Sequence, residues 1–170
     1  MKSVSKKDKK RYSLDMEGIK PVYLGIDYGK KRTGLAICDN GSIAFPLQTV
    51  STPLEVAAII KNRHVTDVVI GKSLNLDGTQ NAVHIDAEVF VAALIKVLEV
   101  EGLDEISIHW HEERLTSHQA SQEFFSMEAK GQERRGRNVS TDKKKADNLD
   151  ERAAAIILQG YLDRLAAKNS

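Results

Sequence analysis

Three carboxylates and a short run of cations are the residues through which this sequence could do chemistry. Asp27 ends an apolar run, Val22 to Ile26, and is followed at once by Tyr28-Gly29-Lys30-Lys31-Arg32-Thr33-Gly34. Glu113 stands in His111-Glu112-Glu113-Arg114-Leu115-Thr116-Ser117, and Asp150 opens Asp150-Glu151-Arg152-Ala153-Ala154-Ala155-Ile156-Ile157-Leu158-Gln159. Carboxylate oxygens are the donors that Mg²⁺ and Mn²⁺ prefer. Two such ions about 4 Å apart clamp an in-line phosphodiester displacement, one making hydroxide from water and the other stabilising the leaving 3′-oxygen. Three acids gathered without a cation would repel and raise one another's pKa values. Lys30, Lys31 and Arg32, beside Asp27, are placed to hold backbone phosphates.

Each of these residues also has a plainer reading. Asp27 could accept the N–H of Gly29 or Lys30 in an Asx-turn. Glu113 could pair with Arg114 or serve a helix N-terminus, with Glu112 the rival carboxylate, and Asp150 could be a helix-start acid, with Asp147 one turn upstream. Lys30 to Arg32 could be a solvated turn. Asn75 and Asp77 build a turn, and Asn75 can also reach a substrate. His109, His111 and Glu113 alternate onto one strand face. A two-His-one-carboxylate site is conceivable there, but strand histidines are more often structural. Cys38 and Trp110 are expected in the core.

The elements that would position these residues can be read from pattern. Val22–Asp27, Thr33–Cys38 and Ile43–Val50 read as strands, the last two joined across Asn40-Gly41, a strong hairpin signal. Thr52-Pro53-Leu54-Glu55 starts a helix with a capping box and runs to about Arg63. A strand over Asp67–Ile70, a loop over Gly71–Gln80 and a helix from about Asn81 to Glu101 follow. Ile85, Val89, Ala92, Ala93 and Lys96/Val97 track one side of that helix, and Gly102 stops it. Glu105–His111 is the last strand. Thr116 caps another helix that fades near Lys130. Gly131–Asn148 reads as a mobile basic loop, and Leu149–Ala167 as the final helix. The order predicts an α/β fold with a mixed five-stranded sheet, three antiparallel strands then two parallel, flanked by helices. The first strand sits centrally, and the acids meet at the carboxyl ends of the strands.

At 170 residues the chain is expected to form one domain, residues 21–168, behind a flexible basic tail over residues 1–20. No apolar run is long enough for a membrane span, no secretory h-region is present, and the single cysteine fits a reducing cytoplasm. The net charge of +1 conceals an uneven distribution: residues 1–11 and 130–145 carry 13 Lys/Arg against three acids, leaving 12 basic against 21 acidic residues elsewhere. Basic flanks on an acidic body suit an enzyme whose site needs carboxylates while its edges hold phosphates. Lys143, Lys144 and Lys145 belong to the second basic segment.

Four blocks in order resemble the YqgF family of RNase H-like proteins, known as Holliday junction resolvases and as pre-16S rRNA nucleases. They are Gly25–Ala36, Val69–Thr79, Glu112–Ser117 and Asp150–Leu162. The resemblance implies an RNase H-like fold and a divalent-metal site, with Asp27, Glu113 and Asp150 as catalytic residues and as ligands to a pair of Mg²⁺ or Mn²⁺ ions. It implies a cytoplasmic nuclease, monomer or homodimer, that processes the 5′ end of pre-16S rRNA, with four-way DNA junctions as the runner-up substrate. Lys30, Lys31, Arg32, Asn75, Arg114, Lys143, Lys144 and Lys145 are the expected nucleic-acid contacts. The chain departs from the family at Gly71-Lys72-Ser73-Leu74-Asn75, which lacks the usual proline, and at Glu112, where aspartate is usual. A non-catalytic RNA-binding module is a further reading. So is an actin-like or Hsp70-like nucleotide binder, suggested by Asp27-Tyr28-Gly29, but the chain has no second glycine-rich copy of that loop.

Overall fold

The computed structural model describes residues 20–72, 82–112 and 142–169, with side chains from residue 149 onward in the last segment. Five strands, β1 (Tyr23–Asp27), β2 (Thr33–Cys38), β3 (Phe45–Val50), β4 (Asp67–Lys72) and β5 (Ser107–Glu112), form one mixed sheet in the order β3-β2-β1-β4-β5. β1 runs antiparallel to β2 and parallel to β4; β2 and β3 are antiparallel, and β4 and β5 parallel. The central place of β1 and the switch from antiparallel to parallel pairing agree with the sequence reading.

Side-chain alternation divides the sheet into two unlike faces. Leu24, Ile26, Leu35, Val68 and Ile70 point to one side, where α1 (Pro53–Arg63) and α2 (Ala82–Val100) cover them with Val56, Ile60, Val91, Leu94 and Leu98. Tyr23, Ala36, Cys38 and Val69 point to the other, beneath Ala154, Ile157, Leu158 and Leu162 of α3 (Asp142–Asn169). Cys38 is fully buried there, as expected.

Helix α1 forms as its sequence dictates. The Thr52 hydroxyl accepts the Glu55 N–H at 3.3 Å, and the Glu55 carboxylate accepts the N–H groups of Ser51 and Thr52, each at 2.9 Å. Those donors, the Ser51 N–H foremost, hold the Glu55 carboxyl below its ordinary range. The helix ends where His64 turns left-handed, its N–H donating back to Ile60 and Lys61.

Several local readings change. β3 begins at Phe45 rather than Ile43, because Asn40 Oδ1 takes the N–H of both Ser42 and Ile43 at 2.9 Å and the Ala44 N–H donates to Gln159. Pro46 is tolerated because β3 is an edge strand. β5 starts at Ser107 and runs on to Glu112. Helix α2 buries His84, Ala87, Val91, Leu94 and Leu98, while Ile85 and Val89 are exposed. The helix is apolar nearly all round, so periodicity alone could not select its inner face, and the polar His84 disguised it. Trp110 is 38% exposed rather than core; its ring packs edge-on against His84 at 5.0 Å. The final helix begins at Asp142, so residues 142–148 are helical rather than loop. That stretch lacks apolar periodicity, but lysine and alanine are good helix formers and Asp142 suits the positive end of the helix dipole. The helix expected from Thr116, the loop up to residue 141 and the tail before Lys20 lie outside the described residues.

α3 lies close to the sheet because glycines floor its seat. A Cβ on Gly25 would stand 2.7 Å from Leu158 Cβ and 2.8 Å from the Ala154 carbonyl oxygen, and one on Gly71 would stand 2.6 Å from Ile157 Cδ1. Gly25→Ala should therefore lower the unfolding free energy by about 1–3 kcal/mol, the usual cost of overpacking. A fall in the urea midpoint with unchanged slope would show it; an unchanged midpoint would mean that α3 is free to shift.

Candidate active site

The seat of α3 places the backbone of Asp150, one of the three expected acids, against the ladder partner of another, Asp27. Asp27 ends β1, half-buried, and its Cα partner across the antiparallel ladder is Gly34 of β2. Gly34 in turn lies against the backbone of Asp150 and Glu151, so closely that a Cβ there would overlap the Asp150 carbonyl. Alternation places Asp27 on the same sheet face as Tyr23 and Gly25, beneath α3. Asp150 lies more than two turns inside α3, not at its start. A helix-dipole role fades beyond the first turn, so that plainer reading of Asp150 loses its basis.

The cations that follow Asp27 sit among acids. Arg32 Nη2 lies 3.2 Å from Asp150 Oδ2, with both side chains about one-third exposed. Lys30 Nζ lies 3.0 Å from Asp86 Oδ2 of α2, a contact that raises the lysine pKa. Lys31 is exposed. At the adjoining ends of β4 and β5, Lys72 and Glu112 pair at 3.7 Å.

The remaining expected site residues fall elsewhere. Glu113, Asn75 and Arg114 lie outside the described residues; Glu113 directly follows the last residue of β5. Lys143, Lys144 and Lys145 are in the first turns of α3, their side chains not described. Among the described residues no three His, Cys, Asp or Glu side chains form a metal-holding group. Asp27 and Asp150 nonetheless fit a hard divalent cation in donor type, and the Arg32 guanidinium already places positive charge at one of them.

His109 and His111 share the α3 face of β5 but do not join the acids. His109 Nε2 meets Asp67 Oδ1 at 2.7 Å, and Asp67 Oδ2 accepts the Thr66 hydroxyl at 2.9 Å. The Tyr161 ring packs against both histidines. Gly160 gives His111 room, since a Cβ there would stand 2.9 Å from its Nε2. These contacts give both histidines partners within the fold, and Glu113, the third member of the two-His-one-carboxylate alternative, lies outside the described residues. Burial, and then the nearby Arg164 charge, push the His111 pKa below its ordinary value.

Sequence reasoning missed Asp86, Asp67 and Gln159. Gln159 accepts the Ala44 N–H and donates to the Ser42 carbonyl, each at 3.0 Å, tying the β2–β3 turn to α3. None of the three carried a local signal, because each finds its partner only through the tertiary fold. The glycines did carry one: Gly25, Gly34 and Gly71 interrupt apolar strands, the mark of close backbone approach.

A mixed β3-β2-β1-β4-β5 sheet, with an acid ending the central strand and a helix crossing above it, defines an RNase H-like fold. The solved structure of T. thermophilus RuvC in complex with Holliday junction substrate resembles it with a TM-score of 0.51 at 15% identity, over 86% of this chain and 96% of that one. Residues 21–164 match the model of a family described as RuvX: Holliday junction resolvase, and the chain belongs to that family, the YqgF family of the four sequence blocks. Curated relatives from Opitutus terrae and Maridesulfovibrio salexigens are 37% and 36% identical. Each alignment covers 83% of this chain, with 90% and 97% of the respective relatives, and both relatives carry the name "Putative pre-16S rRNA nuclease".

The depressed His111 pKa has a consequence for stability. Its imidazole stays neutral in the fold at pH values where the unfolded chain, near 6.5, already takes a proton. Its contribution is therefore intact above that value and is lost as the pH falls through it towards the lower folded value. His111→Asn should flatten this dependence: the drop in urea midpoint between about pH 7.5 and about pH 5.5 should be smaller in the variant than in wild type. Equal drops would assign acid sensitivity to other groups.

Proposed function

We propose that this chain is a divalent-metal-dependent nuclease that processes the 5′ side of pre-16S rRNA, with Asp27, Glu113 and Asp150 as its catalytic acids. The observation that carries the reading is the junction at Gly34, which is paired with Asp27 on one side and pressed against Asp150 on the other. The names of the curated relatives support the rRNA substrate. Membership of a family described as a Holliday junction resolvase supports a second reading, cleavage of branched DNA. The nuclease domain spans residues 21–168 behind a basic tail, and works in the cytoplasm; among the described residues no helix is long and apolar enough to cross a membrane.

Bound Mg²⁺ or Mn²⁺, one ion or two, would supply the activated water and the charge that stabilises the leaving oxygen. The chain's own residues do the rest. Asp27 and Asp150 offer oxygen donors from rigid elements, a strand end and a helix interior. Glu113 adds the third carboxylate. Lys30, Lys31, Arg32, Asn75 and Arg114 hold the strand near the acids, and Lys143, Lys144 and Lys145 hold phosphates beyond them.

The direct test offers wild type, Asp27→Asn and Asp150→Asn a pre-16S leader RNA and a synthetic four-way junction, each with Mn²⁺, Mg²⁺ or EDTA. RNA should be cut only with metal, and each substitution should lower the rate by at least about 10²-fold, as expected when preorganised charge stabilisation is lost. Unimpaired cleavage by Asp27→Asn would sink the site assignment, and junction cleavage without RNA cleavage would promote the second reading. Separately, neutralising Lys143, Lys144 and Lys145 together should weaken RNA binding and reduce the slope of log K against log salt by roughly 2, at about 0.7 per single-strand phosphate contact. An unchanged slope would remove these lysines from the interface.

A further inference from the structure

The contact between Arg32 and Asp150 sets a cation on a residue proposed to take a different one. We propose that Arg32 is the resting counter-ion of Asp150 and exchanges partners on activation: a divalent cation takes the carboxylate, and the guanidinium passes to a phosphate of the bound strand. The inference rests on Asp150 being a cation ligand.

Four observations carry it. The two side chains are 3.2 Å apart, and each is about one-third exposed. An ion pair in that setting holds its partners only a few-fold, so it is easily broken. Both backbones are closely packed. Asp150 is pinned where α3 rests on Gly34, and Arg32 closes a turn so tight that a Cβ on Gly29 would meet the Arg32 carbonyl oxygen. The exchange needs only the side chains to rearrange. Lys30 is similarly engaged with Asp86, 3.0 Å away on α2, so two neighbouring cations of the β1–β2 turn are matched by acids of the fold itself. Finally, the guanidinium fork fits phosphate as well as it fits carboxylate. Displacement from Asp150 therefore yields a group suited to the substrate backbone.

Two consequences follow. Arg32 and a divalent cation compete for one carboxylate, so Arg32 weakens cation binding in the absence of nucleic acid. Once a phosphate takes up Arg32 that competition ends, so cation and strand strengthen each other's binding, reciprocally. Arg32 is then a positioning residue that couples the two ligands as well as a phosphate contact.

The experiment titrates the full-length protein with Mn²⁺ alone, by calorimetry or by the loss of the free-ion paramagnetic resonance signal. It compares wild type, Arg32→Gln and Asp150→Asn, with circular dichroism confirming that each is folded. Arg32→Gln should bind Mn²⁺ about two- to fivefold more tightly, the range that an exposed ion pair carries. Asp150→Asn should bind it more than about tenfold more weakly, since a neutral amide replaces the charged carboxylate. Unchanged or weaker binding by Arg32→Gln would overturn the exchange and leave the ligand assignment standing. Wild-type affinity in Asp150→Asn would overturn the assignment itself. A second arm measures binding of a short single-stranded RNA in Ca²⁺ and in EDTA. The enhancement by Ca²⁺ should be smaller in Arg32→Gln than in wild type; an equal enhancement would rule out the coupling.

Discussion

A helix can lie directly on a sheet only where the strands beneath it give up their side chains, and the rest of this structure depends on that constraint. Gly25, Gly34 and Gly71, on three adjacent strands, form the bed of α3. On the fourth, β5, the arrangement is reversed: the strand keeps the bulky His111, and the helix supplies Gly160. Contacts at Asp150, Ala154, Ile157, Leu158 and Gly160 fix both the axial position and the rotation of the helix. Because Gly34 is also the ladder partner of Asp27, the packing that seats the helix is the same packing that sets the Asp150 backbone against the strand beside Asp27.

The opposite face is built differently, and the contrast explains where the site lies. Leu24, Ile26, Leu35, Val68 and Ile70 fill the space beneath α1 and α2 with branched side chains, a thick apolar layer with no place for a carboxylate. The α3 face is thin, and Asp27 belongs to it by alternation. The two faces are joined at the site's edge by the Lys30–Asp86 pair, which ties the β1–β2 turn to α2. At the other end of the sheet, Thr66, Asp67 and His109 form a hydrogen-bonded chain that begins at the Val22 N–H, which donates to the Thr66 hydroxyl. This network satisfies the buried Asp67 carboxylate and needs no chemical role to account for it.

Strand order, the capped helix α1 and the family were legible in the sequence because each rests on local pattern: alternation, a Thr-Pro-Leu-Glu cap, and motifs a few residues long. The inner face of α2 was not legible, since apolar residues surround it and the buried side carries His84. The start of α3 was hidden for a related reason. Residues 142–148 have propensity without periodicity, and propensity becomes visible only once the helix beyond them is anchored. Asp27 was legible as an anomaly, an acid ending an apolar strand, and the structure locates Asp150 beside its ladder partner. Glu113 rests on sequence alone. The ion pairs of Lys30 and Arg32 were invisible, because Asp86 and Asp150 are far away in sequence and share no motif with them.

Separating the chemistry from the choice of substrate clarifies what the fold can decide. RNA and branched DNA offer the same phosphodiester to a pair of carboxylates and a cation, so the proposed acid site would serve either one. A likeness to RuvC at 15% identity speaks for the fold and leaves the substrate open. Discrimination has to come from groups that read the 2′-hydroxyl or the shape of a branched molecule. Cations such as Lys30, Lys31 and Arg32, which follow Asp27 directly, are not suited to that: a contact to phosphate positions a strand without identifying it. On the proposed reading, the corner that Gly34 builds would hold and cut a backbone, while the identity of that backbone would be decided outside it.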